Sequence, residues 1–545
     1  MKNKLLISVI LILAFLIRVV NLENIPPNLH ADEASFIINT ASIIESGRDE
    51  DNRFLPIYLY SIKDFKPALY SYLQIPGFII LGISTFTSRI PAVIFGVISL
   101  LLIYLLVDEI FDDKKIALIS LILLSISPWH IAISRATQEV IMAFTFCLWG
   151  FLLLFRIIKY FEENQKIPIL KISLMTFANL LAMYSYHSYK IFIPAVFLTT
   201  LVYLYISSPR SSKNQIKISG LILASFLLPF IITFAGAMVR FSAIGLLSND
   251  LPKAIIFEYT TLITGRAPIW FIRAFYNKPV FYFRTFLQNY FSHFTGSFLF
   301  LHGGKTARYL VPDQGWLHLI EIPLLATGLV VLIRKKKKKL AQIFLAAVLF
   351  ASPIAASLTT EDIPSSDRPF QAVIFYTVIT ALGIRLILNI TRKPIRTFLL
   401  SIVLIGYGWC FGYFFNQYYN LMPIYKQHHR SQDYQLLAKA IVDVQDDYDR
   451  VIVSNDLREL YIYLWFENQI ELSALRKVPL ERYEDQYQVG KYIFNRNQCD
   501  FSDAKKDDLL VGSSSCSVKS ERELSRLKQT YFADGEEAHS LYVLN

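Results

Sequence analysis

Apolar runs of about 20 residues, the length a helix needs to cross the hydrocarbon core of a bilayer, recur along most of this chain and constrain its fold more than any other feature. They lie near 4–22, 88–107, 116–133, 137–157, 168–184, 190–206, 216–236, 316–333, 340–358, 370–389 and 396–415. A spanning segment must satisfy its backbone polar groups internally, so these runs predict about eleven transmembrane helices. A composition that is 54% hydrophobic agrees, being too apolar for an ordinary soluble domain. The first run follows Lys2 and Lys4 as a signal peptide would, but it ends in Arg18-Val-Val-Asn-Leu-Glu23 with no small-residue cleavage site. It therefore reads as a retained first crossing.

The net charge of +11 is distributed unevenly between the two sides of this pattern. With the N-terminus in the cytoplasm and sides alternating, the inner segments collect Lys2, Lys4, Lys114, Lys115, Arg156, Lys159, Lys166, Lys171, Arg210, Lys213, Lys217, Arg334, the run Lys335 to Lys339, Arg392, Lys393 and Arg396. The short outer loops hold Arg135, Lys190 and Arg368. Basic residues favour the cytoplasmic side, so this asymmetry predicts a multi-pass plasma-membrane protein with its C-terminal tail outside the cell. It also makes the lysine run a cytoplasmic anchor, with no nucleic-acid partner required.

Three long segments then face outward: 23–87, 237–315 and the tail. The expected organisation is a membrane module over 1–415 and a small extracytoplasmic α/β domain over 416–545. Aromatic and polar residues interleave in Tyr282-Phe-Arg-Thr-Phe-Leu-Gln-Asn-Tyr-Phe-Ser-His-Phe294, which predicts interfacial juxtamembrane helices rather than a crossing. In the tail, helical periodicity over Tyr434 to Val444 precedes an apolar strand at Arg450 to Ser454 and a second helix near Leu457 to Phe466. Short strands follow at Tyr492, Leu509 and Leu541. Cys499 and Cys516 of this tail would meet an oxidising compartment and are expected to form a disulfide, two buried thiols being the alternative.

Chemistry is sought on the outer face. Asp32 and Glu33, in Leu29-His-Ala-Asp-Glu-Ala-Ser-Phe36, open an amphipathic stretch (Phe36, Ile37, Ile38, Ala41, Ile43, Ile44) expected to lie on the bilayer and hold the carboxylates at its surface. A poorly hydrated carboxylate suits a general base; solvated surface acids are the competing reading. Asp64-Phe-Lys66-Pro67 follows in the same loop, where Lys66 either snorkels or pairs with a lipid phosphate. Arg135 and Glu139 sit in Ser127-Pro-Trp-His-Ile-Ala-Ile-Ser-Arg-Ala-Thr-Gln-Glu139, either lining a site or capping a turn as an i, i+4 pair. Arg368, in Pro364-Ser-Ser-Asp-Arg-Pro-Phe370, has a guanidinium suited to bidentate phosphate binding near headgroup depth. Lys190 and His187, and His302 before Gly303-Gly304, are weaker candidates on the same side. No spacing of His, Cys and carboxylates forms a recognisable metal site, and there is no P-loop, GxGxxG or nucleophile elbow.

An N-terminal crossing followed by an outward Asp-Glu pair resembles the GT-C polyprenyl-phosphate-dependent glycosyltransferases, the superfamily of protein O-mannosyltransferases and lipid A aminoarabinose transferases. The likeness runs through Asp32-Glu-Ala34, Gly47-Arg-Asp, Lys66-Pro67, Ser88-Arg89-Ile-Pro91, Ser127-Pro-Trp-His, Ser134-Arg135, Asn289-Tyr-Phe-Ser-His and Phe298-Leu-Phe-Leu-His-Gly. It implies sugar transfer from a polyprenyl-phosphate carrier to an acceptor protein, lipid or glycan on the outer membrane face, with inversion. It implies Asp32 as the base, with Glu33 beside it and Glu139 as a second acidic position. Lys66, Arg135 and Arg368 would hold the carrier phosphate, with Asp64 and Lys190 as further substrate-binding residues. No fixed cofactor is implied, though a divalent cation stays open. Aminoarabinose transferases carry a Glu directly before the corresponding lysine, where this chain has Phe65, and the Arg368 loop lacks the histidine some relatives place near it. Two other functional classes compete. A polysaccharide polymerase, flippase or transporter would place substrate charges within its helices near the midplane, where few occur. A sensor would need far fewer crossings.

Overall fold

The computed structural model describes residues 2–62, 64–207, 213–248, 251–305, 309–335, 338–425, 434–478, 486–514, 516, 524–532 and 535–544. Arg210, Lys336 and Lys337 of the basic loops lie outside them. Every predicted apolar run contains a helix within the described residues. Seven helices there are long and apolar enough to cross a membrane: Thr85–Phe111, Glu139–Asn164, Tyr189–Ile206, Ile216–Phe234, Lys339–Ser357, Phe370–Leu388 and Lys393–Leu421. The protein is a multi-pass membrane protein. The 116–133 run is divided because Pro128 begins a new helix behind Ser127, whose hydroxyl accepts from the His130 amide. Leu69–Leu81, left within the first outer loop by the sequence pattern, is a further short apolar helix.

The chain forms two compact units. The first comprises Met1–Val20, Ala92–Ser134 and Gln138–Gln417 and is helical. Small residues let its helices approach closely. A Cβ at Gly328 would lie 1.9 Å from the Ile379 carbonyl oxygen, and one at Gly383 would lie 2.2 Å from that of Leu324. The helices Leu251–Ile263, Ile269–Phe275 and Lys278–Ser292 expose Phe257, Trp270, Phe275 and Phe283 together with basic residues such as Arg273 and Arg284. That pattern suits the membrane interface.

The second unit comprises Asn21–Pro91, Arg135–Thr137 and Tyr418–Asn545. It holds the acidic-pair helix Ala31–Ser46 and an antiparallel hairpin of β1 (Tyr58–Ser61) and β2 (Asp64–Pro67). A six-stranded sheet follows from β3 (Arg450–Val453), β4 (Tyr487–Val489), β5 (Tyr492–Phe494), β6 (Asp508–Ser513), β7 (Leu524–Tyr531) and β8 (Glu537–Leu544). Its order is β4-β5-β3-β6-β8-β7, with β3 parallel to β5 and β6 and the other pairs antiparallel. Cys499 and Cys516 form the expected disulfide.

The core of this unit corrects one expectation. The apolar residues of the acidic-pair helix are not laid on a bilayer: Ile37, Ile38 and Ala41 are buried in one cluster with Leu437, Ile441, Leu460, Tyr461 and Leu464 of the tail. An amphipathic face buries itself against whichever apolar surface the fold supplies. Here the C-terminal domain supplies it.

Candidate active site

The acidic-pair helix begins with His30 as its cap. The Asp32 amide donates to His30 Nδ1 at 3.1 Å, and the His30 amide donates to Glu33 Oε2 at 3.4 Å, a reciprocal capping box. Both carboxylates thus occupy the first turn, where unpaired amides and the helix dipole favour negative charge.

Their surroundings differ. Lys66 Nζ donates to Asp32 Oδ1 at 2.7 Å and to Ser35 Oγ at 3.1 Å, and it lies over the Phe36 ring. The lysine side chain is 5% exposed, whereas Asp32 keeps 27% of its side chain open. His30 Nδ1 lies 3.6 Å from Asp32 Oδ2. The hairpin sets this geometry, pairing Lys66 with Leu59. Side chains alternate along a strand, so Asp64 leaves β2 on the face of Lys66, while Phe65 packs on Tyr60 with ring centroids 4.8 Å apart. Glu33 is enclosed. Arg89 Nε and Nη2 donate to its two oxygens at 3.0 and 2.8 Å, and the Thr137 amide adds a third bond at 2.7 Å. Arg89 also donates to the Leu22 and Pro26 carbonyls. Burial alone would raise the Glu33 carboxyl, but Arg89 and the Thr137 amide outweigh it and hold the group below the usual carboxylate range. Arg135 is fully buried, donates to the Ile25 carbonyl at 2.9 Å and lies over the rings of Tyr418 and Tyr419.

The remaining candidates belong to the first unit. Glu139 is the first residue of the Glu139–Asn164 helix and is buried there. Lys190 is buried with its Nζ donating to His187 Nδ1 at 2.9 Å. Arg368 is partly exposed, with Nη1 donating to Thr359 Oγ1 at 2.7 Å and to the Glu361 carbonyl at 2.8 Å. Its loop is held by Trp129 Nε1 on the Ser366 carbonyl and by Tyr186 OH on Asp367. A histidine from a distant segment reaches the loop. His293 Nε2 accepts from the Ser365 amide at 3.0 Å while Nδ1 donates to the Asn289 carbonyl at 2.7 Å, which defines a neutral ring. Burial lowers His293 to about 4 in keeping with this. The structure therefore joins Asp32 to Lys66 and separates Glu33 from them by its commitment to Arg89.

One residue of the second unit has no sequence signature. Glu459, in the tail, is partly buried and interacts electrostatically with both Asp32 and Lys66. It lies more than 390 positions downstream of either. Among the described residues the metal-type trio is Asp456 with Cys499 and Cys516, and the two sulfurs are consumed in the disulfide. At Asp32 the ammonium of Lys66 stands where a divalent ion would bind, so these residues do not fit one.

ArnT from Cupriavidus metallidurans bound to undecaprenyl phosphate aligns over 98% of this chain and 97% of its own, at 10% identity and a TM-score of 0.51. Its apo form aligns over 99% and 98%, at 10% identity and a TM-score of 0.50. The chain has the fold of these ArnT structures. Residues 65–233, which include Lys66, Arg89, Arg135, Glu139 and Lys190, match the family model described as dolichyl-phosphate-mannose-protein mannosyltransferase. The archaeal oligosaccharyltransferase AglB from Archaeoglobus fulgidus, in complex with an inhibitory peptide and a dolichol-phosphate, aligns over 84% of this chain at 15% identity and a TM-score of 0.46. This chain spans 63% of that enzyme's length. No curated protein sequence matches it.

Proposed function

We propose that this protein transfers a sugar from a polyprenyl-phosphate carrier to an acceptor hydroxyl on the extracytoplasmic membrane face, with inversion and with Asp32 as general base. The observation that carries this reading is the contrast within the acidic pair: Asp32 is partly open and held at 2.7 Å by a buried ammonium, while Glu33 is spent on Arg89. A base needs an accessible lone pair and a fixed direction. Lys66 supplies the direction, and the Glu33–Arg89 pair positions the turn that carries Asp32.

Asp32 would take the proton of the acceptor hydroxyl as that oxygen bonds the anomeric carbon. The bond from that carbon to the phosphate oxygen breaks on the opposite side, and the electron pair leaves with the polyprenyl phosphate. Cations must stabilise that departing charge. We propose Arg368, which keeps an exposed edge, and Lys190 as the carrier-phosphate candidates of the first unit, each by itself; the enclosed Arg135 is assigned to hold its own turn, and Glu139 to the start of its helix. Positive-inside asymmetry and the Cys499–Cys516 disulfide support a cytoplasmic N-terminus and an outer tail. The acceptor would be a protein, lipid or glycan of the envelope.

The test is Asp32→Asn in purified protein, assayed with a panel of radiolabelled polyprenyl-phosphate sugars and envelope acceptors. Removing a general base lowers turnover about 10²–10⁴-fold, with donor binding retained. Wild-type turnover in the variant would sink the assignment.

A further inference from the structure

The loop that carries Arg368 is held by residues that the reaction as described does not use. It joins the helices Lys339–Ser357 and Phe370–Leu388, and the end of the Lys278–Ser292 helix packs on both of its sides. Asn289 Nδ2 donates to the Thr359 carbonyl at 3.1 Å. His293 lies four residues on, hence on the same helix face, and its Nε2 accepts from the Ser365 amide at 3.0 Å. Thr359 in turn receives the guanidinium. Its buried hydroxyl donates to the Ala356 carbonyl at 2.7 Å and accepts from Arg368 Nη1.

Arg368 Nη1 has two hydrogens, and Thr359 Oγ1 and the Glu361 carbonyl take both. Nε and Nη2 donate to no acceptor among the described residues, and the side chain stays partly exposed. The open edge is therefore the Nε–Nη2 fork, which matches two oxygens of a phosphate. Arg89 grips the two oxygens of Glu33 with the same edge. On the Lys278–Ser292 helix, Phe291 follows Asn289 by two residues and so leaves on the opposite side. It is exposed, as are Phe283 and Arg284. Aromatic and basic side chains on an open helix face suit the boundary of hydrocarbon and headgroups, the depth of a lipid phosphate.

We propose that Asn289, His293 and Thr359 are positioning residues for Arg368, fixing its guanidinium so that the Nε–Nη2 edge takes the phosphate of a lipid carrier. The inference rests on Arg368 being a carrier-phosphate ligand. A free arginine side chain loses its rotamer freedom when it binds, which weakens the contact. Here that ordering is complete in the folded protein, so more of the contact appears as affinity. None of the three residues touches the phosphate.

The experiment measures binding of undecaprenyl phosphate, undecaprenol and inorganic phosphate to full-length protein in detergent by microscale thermophoresis, so the sugar need not be known. Arg368→Ala should weaken undecaprenyl phosphate binding about 10–100-fold, and Thr359→Val, Asn289→Leu and His293→Leu about 3–10-fold each. Undecaprenol binding should not change in any of them. Thr359→Ser keeps the hydroxyl, and His293→Gln offers Oε1 to the Ser365 amide; both should restore the wild-type affinity. Wild-type affinity in the Thr359, Asn289 or His293 variant, with Arg368→Ala impaired, overturns that residue's role while leaving Arg368 as ligand. An equal loss for undecaprenol also overturns it, because a guanidinium edge acts on the phosphate. Normal binding by Arg368→Ala, or a wild type that holds the phosphate no better than the alcohol, overturns the reading beneath. Inorganic phosphate binding as tightly as the lipid overturns the assignment to a carrier. Should His293→Leu not fold, Thr359→Val decides by the same comparison.

Discussion

The buried carboxylate of Glu33 takes four hydrogen bonds, two from Arg89 and one each from the Thr137 and His30 amides. Removing one partner of a buried pair strands the other's charge, so Glu33→Gln should cost about 3–5 kcal/mol of stability, read as a lower thermal midpoint in detergent. The pH dependence has a definite sign. The folded-state carboxyl sits below its ordinary 4.5, so its stabilisation is complete above that pH and is lost as the pH falls further. Glu33→Gln should remove that acid-limb loss. At this scale the adjacent acids at a helix start are legible in the sequence as a pattern. That pattern does not separate their environments, because Arg89 and Thr137 arrive from distant positions.

The acidic-pair helix is bounded by local chemistry that is readable in the chain. His30 and Glu33 form its capping box, and Gly47 closes it with φ +68°, its amide bonded to the Ile43 carbonyl. The Gly47-Arg-Asp motif thus marks a left-handed helix end, a conformation that favours glycine. A Cβ there would also meet the Phe54 ring at 3.2 Å. Gly47→Ala should therefore cost about 1–2 kcal/mol, seen as faster proteolysis of the second unit. What local pattern left open was the partner of this helix. An amphipathic face specifies that something apolar will cover it, and the pattern fits a bilayer and a protein core alike. The tail covers it, and Tyr461 OH reaching the Glu50 carboxylate at 2.8 Å adds a buried polar tie between the same segments.

At the scale of the whole molecule, a disulfide that spans 17 positions ties the stretch before β6 to the residue that follows it at Cys516. Reducing it, or replacing Cys499 and Cys516 by Ser, should cost about 3 kcal/mol by loop-closure entropy. That loss should appear as a lower midpoint of tail unfolding in the full-length protein. The sequence by itself determined the membrane class, a helix within each apolar run and the presence of an α/β tail, because hydropathy and periodicity are carried within short windows of chain. Only the tertiary structure decided that Lys66 grips Asp32, that Arg89 claims Glu33, that His293 reaches the Arg368 loop, and that Glu459 of the tail shares the field of Asp32 and Lys66. Those pairings join residues tens to hundreds of positions apart. Their energies depend on distance and burial, which no local window contains.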